Sequence, residues 1–532
     1  MKKMITLILC ICMAVTCFTA CGSGGSSEPS ATTNMENVQI DIQGASASSG
    51  SGIIEADSYK DKFIIGGQIS FFDLDFQTST DGAYYICTCV FDTLITKNGD
   101  EYAPALATEW EKQDDLTYVF KLREDVTFQD GGKFTADDVV YTLHEKVFEV
   151  PGNTTAGKLD FVENVEALDN YTVKFTLNKP HQDFLLFIAS PFSSIMSRAA
   201  IQKDADQGRL IGTGPWKITN FEPGIRVEME RYDDFWGELP KPSKLEYVTY
   251  PEDTARLVAL QSGETDCSVV VLSSDNATVE NDSSIQKVTI KDSGFAYIAF
   301  NTSDPICADI NFRKAVCCAI DKEAMVDVSC EGLGEAITSV WGNGTFGEYK
   351  DVAGYDYNPE KAKEYLAASS YDGSPVSIMC GAEEYVRNAT IIADYLNEIG
   401  IKTAIDERDF IGLVVNSGYD NPKHQLLSFG ATWSDSPDDI RMLCYPHAIN
   451  NRSVINDEKL NEMIDSAVLE ADEAKRLELY KEIQQYISDQ AYYFPIYRSI
   501  YYCAEALNTS GIAWNTDCMN FNFRYANVAI LD

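Results

Sequence analysis

Alternating apolar and polar residues predict strands in this chain, and apolar residues three to four positions apart predict helices. Residues 101–110 and 116–123 alternate with a period of two, which is typical of half-buried strands. An Asp-Gly turn follows them, and Thr135 with Asp138 then forms a capping-box pattern before an apolar run. The pattern therefore predicts two strands, a tight turn and a helix start in succession.

The second half of the chain predicts a sheet covered by helices. Residues 376–379 and 401–405 are short apolar strand patterns, separated by an amphipathic helix pattern that stops at Gly400. Such a strand–helix–strand unit places its strands parallel in one sheet. Residues 458–488 form a long amphipathic pattern that is interrupted near residue 470. An α/β chain with mixed sheets is therefore predicted.

The N-terminus has the pattern of an export signal. Lysines precede an apolar run from Met4 to Ala20, and Cys21 follows. The four residues that end at Cys21 resemble a bacterial lipobox, with phenylalanine where leucine is usual. We expect residues 1–21 to be a lipoprotein signal peptide, with Cys21 acylated and anchored in the bilayer. A plain secretory peptide and a short membrane span are the alternatives.

Length and composition predict a tether followed by more than one lobe. Residues 22–55 are rich in serine and glycine and too poor in large apolar side chains to fold, so we expect a flexible tether. The remaining chain of about 475 residues exceeds one ordinary core. The net charge of −40 argues against nucleic acid and anionic lipid head groups as partners.

The cysteines do not predict a disulfide framework. Four of the fifteen lie in the signal, and the eleven that remain are odd in number and include no CxxC pair. We expect most of them to be buried and to pack as small apolar side chains. So many scattered cysteines in an exported protein suggest a host that lives under reducing conditions. A metal site is the alternative. Cys87 and Cys89 are predicted to share one face of a strand, and Cys317 and Cys318 to be adjacent on a helix.

Five sequence blocks in order resemble the family 5 solute-binding proteins of bacterial ABC importers. They are residues 101–139, GTGPW at 212–216 with YDDFWG at 232–237, ALQSGETD at 259–266, FNT at 300–302, and NFRKA with AID at 311–321. The resemblance extends over nearly all of the mature chain. The two glycines of the GTGPW block fit a turn that needs permissive backbone angles better than a phosphate cradle.

The resemblance implies a two-lobed periplasmic-binding-protein-like α/β fold of type II, of the large cluster C variety, with mixed sheets and a hinge. Lobe I would comprise residues 56–290 plus 490–532, and lobe II residues 291–489. Family members bind a solute and release it intact, so neither enzymatic activity nor a catalytic residue, metal or cofactor is expected. The resemblance further implies a monomer at the outer face of the cell membrane that delivers a peptide to an ABC permease.

The resemblance also predicts which residues contact the ligand. Asp435 occupies the position at which peptide-binding members pair an aspartate with the ligand's ammonium group, although Asp438 and Asp439 compete for this role. The alternative for Asp435 is a loop acid that caps the following turn. Other predicted ligand contacts are aromatic: Trp433, which alternatively lines the lobe interior, Tyr84, Tyr85 and Trp341.

Other cargoes and another class of protein remain open. Dipeptide binders carry an arginine where this chain has Glu383 and Glu384, which argues for a longer peptide or a ligand with a second positive group. His447 lies where nickel importers place a ligating histidine, so a metal chelate is one alternative and an oligosaccharide another. An extracytoplasmic hydrolase is disfavoured because neither an HExxH nor a GxSxG motif occurs.

Overall fold

Strands and short helices alternate along the chain and give a mixed α/β fold. The computed structural model describes residues 56–530 apart from 69–70, 72, 78–83, 99–100, 150–152, 154–157, 272–274, 292–293, 382, 432, 434–435, 449 and 515–520. Its strands are β1 (Lys62–Gly67), β2 (Ile95–Asn98), β3 (Glu101–Pro104), β4 (Ala107–Asp114), β5 (Thr117–Leu122), β6 (Val162–Asp169), β7 (Thr172–Leu177), β8 (Trp216–Glu222), β9 (Arg226–Arg231), β10 (Lys244–Thr249), β11 (Cys267–Val271), β12 (Ile285–Lys291), β13 (Phe295–Phe300), β14 (Gly334–Ala336), β15 (Val376–Cys380), β16 (Thr403–Glu407), β17 (Leu426–Ala431), β18 (Tyr493–Ala506), β19 (Thr509–Ser510), β20 (Ala513–Trp514), β21 (Phe521–Asn522) and β22 (Asn527–Val528).

The helices are short in the first half of the chain and longer in the second. They are α1 (Tyr84–Val90), α2 (Ala136–Val140), α3 (Lys146–Glu149), α4 (Phe184–Ala189), α5 (Arg198–Lys203), α6 (Ala205–Gly208), α7 (Asp253–Gln261), α8 (Asn276–Glu280), α9 (Ile310–Ala319), α10 (Lys322–Ser329), α11 (Pro359–Ala367), α12 (Glu383–Glu398), α13 (Phe410–Ser417), α14 (Asp439–Cys444), α15 (Glu458–Leu469) and α16 (Glu473–Asp489). None of these described helices is long and apolar enough to cross a membrane.

One long strand, β18, connects the two halves of a large mixed sheet. The strand order is β16-β15-β17-β13-β18-β11-β1-β10-β9-β8, and β12 and β14 also pair with β18. The first half of β18 pairs with β13 and β14, whereas its second half pairs with β11 and β12. The chain passes from one half of the sheet to the other between β12 and β13. The lobe bounds at 290 and 490 stay a prediction.

Alternating side chains of the half that contains β13 supply two different cores. Ala296, Ile298 and Phe300 belong to a cluster completed by α9, α10 and α12. Their neighbours Phe295 and Tyr297 belong to a second cluster, completed by α14, α15 and α16. This two-sided burial follows from the alternation of side chains across a strand, and it explains why β13 reads as an unbroken apolar run.

A separate antiparallel sheet has its own core. Its order is β4-β5-β7-β6, and the side chains of this sheet pack against α2, α4 and the segment 191–195. We call this part of the chain the four-stranded body. The half of the large sheet that contains β13, with α14, α15 and α16, is called the β13 body. Trp341 and Trp433, two of the predicted ligand contacts, belong to the apolar core of the β13 body.

Several local predictions are confirmed. Thr135 and Asp138 form the reciprocal capping box of α2, and Gly400, with φ of +97°, ends the segment that follows α12. β15 and β16 are parallel neighbours, as the strand–helix–strand pattern predicts. The long amphipathic pattern is divided between α15 and α16, with Asp472 capping the second helix.

Two predictions were wrong. Cys87 and Cys89 lie on the helix α1 and not on a strand, and both are buried. Gly212 and Gly214 do not have a positive φ. Instead, a Cβ on Gly212 would lie 2.1 Å from the Val90 carbonyl oxygen, and one on Gly214 would lie 2.7 Å from it. Glycine is required there because the loop runs directly against α1, not because a turn needs permissive angles.

Candidate functional site

The loop after β17 begins with a buried tryptophan. The Trp433 side chain is 4 % exposed, and its indole Nε1 donates a hydrogen bond to the Ser436 carbonyl oxygen at 3.1 Å. This loop, called the Trp433 loop below, runs from Trp433 to Asp438, and α14 begins at Asp439. Asp435, the predicted ammonium partner, lies outside the described residues, as does Cys21. Their roles stay predictions.

Trp341 packs directly on Trp433. The two indole rings are 5.2 Å apart, and Trp341 also lies 5.1 Å from the Tyr480 ring. A Cβ on Gly342 would lie 2.3 Å from the Trp433 ring, so glycine makes room for this contact. Both tryptophans are members of the same buried cluster. In this structure their rings contact protein side chains, and their ligand contacts stay a prediction.

Tyr84 and Tyr85 are the first two residues of α1. They therefore begin a helix. Their side chains lie outside the described part of the structure, so their ligand contacts stay a prediction as well. Of the acids that argued against a dipeptide, Glu384 lies on α12 and accepts a hydrogen bond from the Tyr497 hydroxyl at 2.9 Å.

Charged and polar groups that the sequence did not indicate gather beside the Trp433 loop. His181 Nε2 lies 3.7 Å from Asp438 Oδ2, and Arg441 Nη1 lies 3.5 Å from the same oxygen. The Ser436 hydroxyl donates to Asp183 Oδ2 at 3.5 Å. His181 and Asp183 come from the four-stranded body, whereas the other three residues belong to the β13 body. No local sequence pattern brings segments this distant together.

The two aspartates of this group differ in their electrostatics. Burial raises the pKa of Asp183, and the lowering effects of the neighbouring His181 and Arg476 offset it only in part. Burial also acts on Asp438, but its polar contact with His181 and the charge of Arg441 outweigh burial and lower the pKa of Asp438. Asp438, one of the two competitors of Asp435, is therefore an ionised partner of protein cations in this structure.

A polar cavity of about 420 Å³ lies elsewhere, at the opposite end of the β13–β17 pair. Thr302 lines it beyond the end of β13, whereas Trp433 follows the end of the antiparallel strand β17. The buried Arg313 guanidinium also lines the cavity, but it donates to the carbonyl oxygens of residues 307, 308, 490 and 491. Its donors are thus committed to the backbone, which makes the cavity a poor anion site.

Metal-binding groups are not assembled in the described part of the chain. No group of three or more His, Cys, Asp or Glu side chains among the described residues is arranged to hold a metal ion. His447 is exposed and pairs with Asp420, with 2.5 Å between Nδ1 and Oδ1. The ten described cysteines are buried free thiols, and burial raises the pKa of Cys330 and Cys380 to about 11.

Comparison with known proteins identifies the family. The profile of the bacterial extracellular solute-binding proteins, family 5, matches residues 101–450, which include the four-stranded body and the Trp433 loop. The chain belongs to this family. Members of the family are solute-binding proteins and not enzymes.

The relatives differ in the solute that their names state. The chain is 27 % identical to the dipeptide-binding protein of Escherichia coli K12 over 428 residues, which cover 74 % of this chain and 80 % of that one. It is 25 % identical to heme-binding protein A of Haemophilus influenzae over 448 residues, which cover 77 % of this chain and 82 % of that one.

A solved structure supports the fold. The ABC transporter-associated periplasmic binding protein DppA of Helicobacter pylori, in complex with the peptide STSA, matches 88 % of this chain and 98 % of its own with a TM-score of 0.76 and 23 % identity. The predicted two-lobed α/β fold is therefore confirmed. At this identity the comparison shows the fold alone.

Proposed function

We propose that the chain is a lipid-anchored extracytoplasmic receptor that captures a peptide and delivers it to an ABC permease. The observation that carries the proposal is the family match across residues 101–450. Similarity to proteins named as dipeptide-binding and di/tripeptide-binding supports a peptide as the solute. The lipobox-like pattern that ends at Cys21 supports the anchor.

We further propose that the peptide binds beside the Trp433 loop, with its ammonium group paired with Asp435. Trp433 and Trp341 are packed together at 5.2 Å and would form one aromatic wall of the site. Tyr84 and Tyr85, on α1, would contact the ligand from lobe I, residues 56–290 plus 490–532. The passage of β18 between the two halves of the large sheet supports a hinge at this boundary.

A metal or haem complex is the second candidate solute. One relative is named as heme-binding, and a structural neighbour contains nickel bound by histidine. The described residues supply little metal-binding chemistry, since His447 is an exposed residue paired with Asp420. A peptide is therefore the better-supported solute.

The proposal is tested by calorimetry with a random library of tri- to pentapeptides and with nickel–histidine and haem as competing probes. Asp435→Asn is expected to weaken peptide binding about tenfold or more, because a charge-assisted hydrogen bond to the ammonium is lost. The same substitution at the exposed Asp409 provides a control. Saturable binding of haem or nickel–histidine without peptide binding would contradict the proposal.

The anchor needs a separate test. Cys21→Ala is expected to prevent acylation, so that the variant is recovered in the soluble fraction and not in the membrane fraction. Mass spectrometry of the mature N-terminus of the wild-type protein reports whether Cys21 carries the lipid. A mature N-terminus that begins elsewhere without a lipid would show that the export signal is of the plain secretory kind.

A further inference from the structure

Among the helix N-caps that the structure describes, two aspartates do not cap their helices. Asp183 precedes α4 and Asp438 precedes α14, and neither carboxylate accepts a hydrogen bond from its own helix. Aspartates at other N-cap positions do accept such bonds, namely Asp204, Asp309, Asp321, Asp409, Asp457 and Asp472. Capping is the usual role of aspartate at this position, so the two exceptions use their carboxylates for another contact.

The two exceptional aspartates meet in a reciprocal contact between the four-stranded body and the β13 body. Asp183 accepts from the Ser436 hydroxyl at 3.5 Å, and Asp438 faces His181 Nε2 at 3.7 Å. Each segment thus contributes one carboxylate and one further polar side chain. The Ser436 hydroxyl oxygen accepts from the Asp438 backbone N–H at 3.1 Å, which leaves the hydroxyl hydrogen directed to Asp183.

Each side of the contact is fixed within its own body. The His181 imidazole stacks on the Phe161 ring at 3.9 Å and lies edge-on to the Phe187 ring at 5.5 Å. On the other side, the Ser436 carbonyl oxygen accepts from the Trp433 indole. A movement of one body relative to the other would therefore break the reciprocal contact without disturbing either core.

The contact is buried but loosely bonded. The His181 side chain is fully buried, and neither of its ring nitrogens has a hydrogen-bond partner within the described residues; the same holds for Asp438 Oδ1. Both intersegment distances exceed the usual range for a hydrogen bond. Buried polar groups with incomplete bonding suit a contact that forms and breaks, because a permanent one would leave their desolvation uncompensated.

Charged groups around the contact balance one another. Arg441 and Lys179 act on Asp438, Arg476 acts on Asp183, and Asp160 acts on Arg441. Arg476 lies on α16 and Lys179 precedes α4, so each of them acts on the aspartate of the other body. The two segments therefore meet without an uncompensated charge.

We propose that His181 and Asp183 are positioning residues that hold the Trp433 loop in its ligand-binding place when the two bodies close on each other. The proposal rests on the proposed function, because the closed arrangement that the contact stabilises is the one that retains a solute. The same contact forms whenever the two bodies close, with or without a solute, and a solute only shifts the balance towards closure. The contact reaches the Trp433 loop at Ser436 and at Asp438. The contact would slow the dissociation of a bound solute and would have a smaller effect on the rate of its association.

A double-mutant cycle tests this proposal. Asp183→Ala and Ser436→Ala are each expected to speed dissociation of a peptide selected from the tri- to pentapeptide library about tenfold, with a smaller change in association. The double variant is expected to dissociate no faster than either single variant, since all three lack the same contact. Dissociation rates are measured by stopped-flow fluorescence.

Two further variants separate positioning from folding. Asp183→Asn keeps the side-chain volume and replaces Asp183→Ala in the measurements if the alanine variant does not fold. Asp409→Asn is the control, because Asp409 is an N-cap aspartate that makes its ordinary capping bond. The Asp409 variant is expected to behave as wild type. Strictly additive effects in the cycle, or dissociation unchanged in both Asp183 variants, would overturn the proposal.

A measurement without ligand distinguishes a failure of this proposal from a failure of the proposed function. Hydrogen exchange in the peptide-free protein is expected to rise in the segments 178–189 and 433–444 of the Asp183 variants, and to stay unchanged in the four-stranded sheet. If wild type binds no peptide, the proposed function fails on that result alone. Unchanged exchange in both segments would count against the positioning contact whatever the solute.

Discussion

Glu505 is a buried carboxyl group on β18 whose hydrogen-bond partners are uncharged. Its Oε1 accepts from Gln286 Nε2 at 2.7 Å, and its Oε2 accepts from Trp514 Nε1 at 3.3 Å. Burial raises the pKa of Glu505 to about 7, and the two hydrogen bonds offset that effect only in part. The residue therefore changes charge near neutral pH, inside the strand that joins the two halves of the large sheet.

This raised pKa predicts how stability depends on pH. Because the folded-state pKa lies above the ordinary value for glutamate, the stabilisation is fully present below that ordinary value. It is lost as pH rises through about 7. Ionisation at pH 8 is expected to lower the free energy of unfolding by roughly 3 kcal/mol. Urea unfolding at pH 5 and pH 8 measures the difference.

Glu505→Gln is expected to reduce this pH dependence, because the amide does not ionise. The substitution itself costs about 1 kcal/mol at pH 5, since one of the two accepted hydrogen bonds loses its acceptor. Glu238→Gln, at an exposed loop position, is the matched control and is expected to retain the wild-type difference. An equal pH dependence in the Glu505 variant and wild type would show that another group titrates.

At the scale of single elements, helices with local signals were predictable and α1 was not. The capping box of Thr135 and Asp138 and the amphipathic pattern of α15 and α16 lie within the elements themselves. By contrast, α1 consists largely of aromatic and β-branched residues, which favour a strand locally. In the folded protein α1 packs against the loop at Gly212, which is more than a hundred positions away in the chain. Such tertiary contacts override local propensity.

The candidate site, too, could be predicted from the sequence only in part. The Trp433 loop was identifiable because the residues that resemble the family motif are contiguous. His181 and Asp183 were missed because their partners lie in another body, and an aspartate before an apolar helix predicts an ordinary cap. The only sequence signal at Asp183 therefore indicated the wrong role. Such contacts become visible only when the two bodies are placed together.

The loop at Gly212 provides a test of packing between elements. Gly212→Ala is expected to lower the free energy of unfolding by about 1–3 kcal/mol or more, because the new Cβ would overlap the Val90 carbonyl oxygen. Gly132→Ala is the matched control, since only the movable Asp130 carboxylate comes within 3.1 Å of its Cβ. Urea unfolding of both variants measures the effect, and equal stabilities would contradict the close approach.

At the scale of the whole molecule, the packing predicts a movement. The four-stranded body and the β13 body have separate apolar cores, and the reciprocal contact between them is polar and loosely bonded. Separate cores allow rigid-body motion, because neither core loses packing when the bodies part. The continuous strand β18 keeps the two halves of the large sheet connected during such a motion.

Binding is therefore expected to make the protein more compact, because a ligand that contacts both bodies favours the closed arrangement over the open one. Small-angle scattering with and without a saturating library peptide measures the radius of gyration, which is expected to fall. Asp435→Asn, at a peptide concentration that saturates wild type but not the variant, is expected to stay extended. An unchanged radius in wild type at proven saturation would mean that the solute enters without closure, and the polar contact at Asp183 would then have a purely structural role.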